Sequence, residues 1–191
     1  ELIEFPGVQH QLQAKGKIAL ADYYLMQGER WEATLLYSQV DKAYEDDVLG
    51  QLARFKNAKL SYYMGDFEWA QAQFSILKAS TSKLIANDAL DLSVFIMDNL
   101  GLDTTAAPMY MYAKADLLAF QNQFEEAFAM LDDIRKEFPK HSLEDDILYT
   151  KANIYLKKQD LTTAATIFED IINNYPESIR VDNALFELAE L

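Results

Sequence analysis

Residues 136–164, KEFPKHSLEDDILYTKANIYLKKQDLTTA, line up with residues 173–191, NNYPESIRVDNALFELAEL, at an offset of 37. Pro139 falls on Pro176, Ser142 on Ile179, Leu148 on Leu185 and Ala152 on Ala189. Just upstream of each copy the same offset brings Phe124, Ala127 and Leu131 onto Leu161, Ala164 and Phe168. Near the start, GERWEATLLYSQV (28–40) repeats as GDFEWAQAQFSIL (65–77), with Gly28/Gly65, Ala33/Ala70 and Tyr37/Phe74 coinciding. A fixed period of this length marks a stacked array of small units, each too small to bury its own apolar face.

Each unit reads as a helical hairpin. Tyr37 and Val40 follow Ala33 at i+4 and i+7, one face of a helix. Leu20, Ala21 and Tyr24 mark the helix before it. Gly28 and Gly65 stand where that first helix should stop, because a left-handed C-cap has no room for a Cβ. Asn122 takes the place in the third unit and Gln159, a poorer cap, in the fourth. Ser142 followed by Asp145 predicts an N-cap pair.

Composition narrows the function. The chain has 191 residues, half of them hydrophobic, so it can bury a core. Six Gly and four Pro are too few for the tight turns of an all-β fold. Acidic side chains outnumber basic ones 31 to 17, a net charge of −14, which argues against nucleic acid and anionic membranes as partners. No apolar run nears the ~20 residues of a membrane span. ELIEFPG lacks the basic-then-apolar order of a signal peptide, and the missing Met and the helical ending RVDNALFELAEL suggest a piece of a longer protein. With no cysteine there is neither a disulfide nor a thiolate site.

The spacing resembles the tetratricopeptide repeat, a helix A–helix B hairpin with small residues at positions 8 and 20, Gly at 15, an aromatic at 24 and Pro at 32. Position 8 is Ala21, Ala58, Ala115, Ala152 and Ala189, and position 20 is Ala33, Ala70, Ala127 and Ala164. Position 24 is Tyr37, Phe74, Leu131 and Phe168. The resemblance implies an all-α superhelical array of antiparallel hairpins, about ten helices in all. Departures are Trp31 one place after the usual aromatic, and 57 residues rather than 37 between Ala70 and Ala127. The excess predicts one unpaired helix over 84–99, followed by the break NLGLDTTAAP with Pro108 in the next first turn. The expected organisation is a pair of units over 12–81, the extra helix and break over 82–103, and further units over 104–191 ending in a truncated repeat.

No catalytic constellation stands out. His10 and His141 lie far apart, and no phosphate loop, HExxH or GxSxG occurs. His141 reads as a surface turn residue, and Asp46–Asp47, Asp132–Asp133 and Asp145–Asp146 read as solvated helix ends or charged faces. We expect no enzyme activity, no metal and no cofactor. The resemblance places a partner on the inner face instead, at helix-A positions 2, 5, 9, 12 and 13. Seven of those 23 positions are aromatic: Phe55, Tyr62, Tyr63, Tyr112, Phe120, Tyr149 and Phe186. Asp22, Asp116 and Asn153 add polar contacts at position 9. Such a face suits an extended peptide or an amphipathic helix. Aromatics at positions 5 and 12 can equally pack against the neighbouring helix. The hydroxyls of Tyr112 and Tyr149 favour a wet edge, whereas Trp31 and Trp69, on helix B, are expected in the hairpin core.

The expected function is therefore a non-catalytic scaffold for a protein or peptide partner. An aromatic position 5 and acidic Asp22, Asp116 and Glu190 at position 9 argue against a basic clamp for a chain-terminal carboxylate. The alternative is a structural or self-assembly segment whose last helix, with Leu185, Leu188 and Leu191, packs on a neighbouring repeat or on a second copy. The ending is similar to bacterial periplasmic tetratricopeptide proteins of the cell envelope, which implies an exported location.

Overall fold

The computed structural model describes residues 10–100, 105–139 and 141–191. Residues 101–104 of the expected break, and the ELIEFPG stretch, lie outside the described residues. Ten helices and no strand occur among the described residues, in two compact units divided after Asp103. The first unit holds α1 (His10–Met26), α2 (Arg30–Ala43), α3 (Val48–Tyr63), α4 (Phe67–Leu77) and α5 (Lys83–Leu100). The second holds α6 (Ala107–Phe120), α7 (Phe124–Glu137), α8 (Glu144–Lys157), α9 (Leu161–Asn174) and α10 (Val181–Glu190). The fold is the all-α hairpin array that the repeat spacing implies.

One triad on each helix B makes the hairpins. Ala33–Tyr37–Val40, Ala70–Phe74–Leu77, Ala127–Leu131–Ile134 and Ala164–Phe168–Ile171 are each buried to 2% exposure or less. Four and then three residues separate the members, so all three point at helix A. The small residue lets the two backbones approach, and the bulky one fills the space beside it. On the facing helices Ala21, Ala58, Ala115 and Ala152 are fully buried. Ala189 departs from this set. It is exposed, and Ala184 is the buried small residue of α10.

The first helix of each of the four hairpins ends in the same way. Gly28 and Gly65 have φ of 83° and 81°, and Asn122 and Gln159 both have 61°. The following N–H of Glu29, Asp66, Gln123 and Asp160 donates back to the carbonyl of Tyr24, Ser61, Leu118 and Tyr155, at 2.9–3.0 Å. These are Schellman turns, and they satisfy carbonyls that the helix end would leave open. A Cβ on Gly28 would meet nothing within 4 Å, so Gly28→Ala tests the backbone alone. It is expected to cost about 1 kcal/mol, while Gln159→Gly gains up to about as much, both read by urea unfolding.

Three local expectations need correction. Ser142 does not cap α8; the residue before that helix is Leu143, and it makes no side-chain cap. The ring of His141, half-buried rather than a free surface side chain, accepts the Leu143 N–H at 3.1 Å through Nδ1. Asp145 instead accepts from the Ser178 hydroxyl. Trp31 and Trp69 are 71% and 40% exposed rather than core. Trp31 precedes Ala33 by two residues, which turns it to the far side of α2, where the Arg30 guanidinium lies 5.3 Å from its ring centre.

The helix expected over 84–99 is α5, which packs on α4 and touches α3. In the same way α3 packs on α2 and touches α1. Within the first unit α5 therefore sits as a helix A, with no helix B beside it among the described residues.

Candidate protein-binding site

The helix-A face of the second unit is built from polar side chains set one turn apart on successive helices. Tyr112 on α6 reaches α8, where its hydroxyl lies 2.6 Å from Thr150 Oγ1 and donates to the Asp146 carbonyl at 3.2 Å. The Asp146 carboxylate in turn accepts from Arg180 Nε at 2.6 Å, tying α8 to the start of α10. Arg180 also lies 5.3 Å from the Tyr149 ring centre.

Burial pushes the Tyr112 phenol well above its ordinary range, and the Asp146 charge adds to this. Burial alone would lower Arg180, but the Asp146 charge and hydrogen bond outweigh it and hold the guanidinium up. Tyr149 is raised by its burial, tempered by hydrogen bonds from the Asn153 and Asn183 side chains. These contacts fix the side chains of Tyr112, Asp146, Arg180 and Tyr149 relative to one another.

Three of the expected contact residues belong to the interior. Tyr112 is buried with its hydroxyl consumed, so it is no wet-edge residue. Tyr62 is buried among the rings of Tyr63, Phe67 and Phe95, because the extra helix α5 brings Phe95 over it. Tyr63 is buried too, with the Lys59 ammonium 5.5 Å from its ring centre. Phe55 is half-buried against Phe74, at 5.7 Å between ring centres.

Asp22 is engaged within the first unit, accepting from the Tyr37 hydroxyl and from Lys56 Nζ at 2.9 Å. Several of the paired carboxylates are likewise occupied. Asp132 meets Lys151 and Asp133 meets Lys136, while Asp146 is buried rather than solvated as expected. Among the described residues no cluster of three or more His, Asp or Glu could hold a metal, and no helix is long and apolar enough to cross a membrane.

What stays reachable on the second unit is Phe186, with Asp116, Phe120, Tyr149 and Asn153 half-buried. Residues 109–141 and 146–178 match the family model described as tetratricopeptide repeat. These two stretches are similar to tetratricopeptide repeats. Tetratricopeptide repeats generally mediate protein–protein interaction, and the family is typically a non-catalytic scaffold. A search of curated proteins returns no match.

The resemblance missed Arg180 and Lys56. Both follow their carboxylate partners by 34 residues, and Tyr112 precedes Asp146 by the same 34. Side chains on neighbouring A helices meet about one turn short of the 37-residue period. A search for opposite charges at 34 would find them.

Proposed function

We propose that this chain is a non-catalytic interaction scaffold that holds a peptide or helical segment of a partner protein on the helix-A face of its second unit. Phe186 carries the reading: it is 64% exposed at position 5 of α10, on the face that Tyr149 shares one repeat earlier. A large exposed aromatic one repeat after half-buried Tyr149 and Asn153 suits the anchor-and-rim arrangement that interface hot spots favour. Asp116, Glu187 and Glu190 add negative charge there, which suits a partner segment with an apolar anchor and a nearby Lys or Arg.

Phe186→Ala tests this, because an exposed side chain can be removed with a stability change within about 0.5 kcal/mol. Selection of peptides from a random displayed library on the intact chain is expected to yield binders that lose at least about tenfold affinity for Phe186→Ala, as hot-spot truncation does. Binders indifferent to that change place recognition elsewhere. A second reading is favoured by the exposure of Leu185 and Leu191, with Leu188 half-buried against α9. There α10 packs on a neighbouring hairpin or a second copy, and a sedimentation coefficient rising with concentration would select it.

A further inference from the structure

Between α4 and α5 in the first unit runs an open groove of about 360 Å³, lined by Phe67, Glu68, Gln71, Ile96, Met97 and Leu100. Its position follows from the repeat. Because α5 packs as a helix A with no helix B of its own unit beside it among the described residues, the groove lies between a helix B and the next helix A, where a further helix B would seat.

The other hairpins state what such a slot accepts: a small residue, a bulky one four later and an aliphatic one three after that, all buried. Ala89 and Ser93 are the small, fully buried residues on α5, and Ser93 is hydrogen-bonded at 2.9 Å by the Gln71 amide. The Gln71 Oε1 is buried without a donor, and Glu68, one turn before it, is the one charged side chain in the lining. The exposed Glu68 carboxylate asks for a cationic donor. A second copy of this chain is a poor occupant. Its exposed α10 carries Asp182, Glu187 and Glu190 and no Lys or Arg, and the chain bears a net charge of −14.

We propose that this groove receives, in trans, an amphipathic helix of a partner protein whose apolar face reads Ala-x3-Phe-x2-Leu and whose flank is basic, completing the third hairpin. Met97, 57% exposed, would then be covered, and Glu68 would take a Lys or Arg of the incoming helix. This site is on a different unit from Phe186, so the two readings stand or fall separately.

The probe is a labelled synthetic helix of about 15 residues with that face and lysines on its flank, titrated into the full chain by fluorescence anisotropy. Saturable binding is expected, with a glutamate-flanked version about two- to fivefold weaker at low salt. Met97→Glu should weaken the lysine-flanked helix at least about tenfold, because the new charge would have to be buried. Glu68→Lys should reverse the order of the two probes. Both substitutions fall on exposed side chains, and unchanged thermal melts confirm that the variants fold. Phe186→Ala should leave helix binding as it is.

Four outcomes overturn the proposal. They are no saturation by the lysine-flanked helix up to about 1 mM, equal binding by Met97→Glu, an unchanged probe order in Glu68→Lys, or self-association of the chain that Met97→Glu abolishes.

Discussion

Asp146→Ala is expected to destabilise the second unit by about 3–5 kcal/mol, the cost of leaving a buried charge without its partner. Asp146 and Arg180 have side-chain exposures of only 4% and 12%, so water cannot replace the missing carboxylate. The guanidinium would keep its charge, because arginine stays protonated in proteins. Arg180→Ala should cost a similar amount for the mirrored reason, and it also removes the cation lying over Tyr149.

The pair's net contribution is a separate matter. Replacing both members with apolar residues of similar size, Asp146→Leu with Arg180→Met, should recover most of the loss, because the desolvation cost of two ions then disappears. Urea unfolding measures this. Trp31 and Trp69 both lie in the first unit, so tryptophan fluorescence reports there while far-UV circular dichroism reports both units. The single variants should lower the dichroism midpoint ahead of the fluorescence one. A change under about 1 kcal/mol would mean that the pair is solvated in solution.

Much of the fold was legible because helix period and small-residue spacing are local. Ala33–Tyr37–Val40 and its three counterparts are written within eight residues of chain, and each lies buried as its spacing implies. The left-handed caps at Gly28, Gly65, Asn122 and Gln159 are local too. The face offered to a partner was harder to read, because exposure depends on which helix comes next. Tyr62 sits at position 12, and α5 brings Phe95 to cover it. Tyr112 sits at position 5, and a hydroxyl on α8 receives it. Phe186 shares position 5 with Tyr112, yet among the described residues no later helix follows to cover it. The Asp22–Lys56 and Asp146–Arg180 links were invisible for another reason. They run at 34 residues, so aligning the chain on its 37-residue period puts the partners in different columns.

Phe168→Ala is expected to cost about 3–5 kcal/mol, in contrast with the near-neutral Phe186→Ala in the same unit. Phe168 is fully buried on α9, in a cluster with Leu148, Ala152, Ala164, Ile171 and Ala184. These residues come from α8, α9 and α10, so one ring holds three helices together. Truncation leaves a cavity that cannot close easily, because Ala152 and Ala164 already bring the helix backbones as near as a methyl allows. It also removes the tilted ring contact with Tyr149, at 5.8 Å between centres, which loosens the side chain beside the proposed binding face. Phe168→Leu, closer in volume, should cost appreciably less. If Phe168→Ala lost under about 1 kcal/mol in urea unfolding, α9 would not be seated on α8 in solution. Loss of peptide binding in Phe168→Ala would then be read as damage to the scaffold, whereas the same loss in Phe186→Ala would be read as removal of a contact.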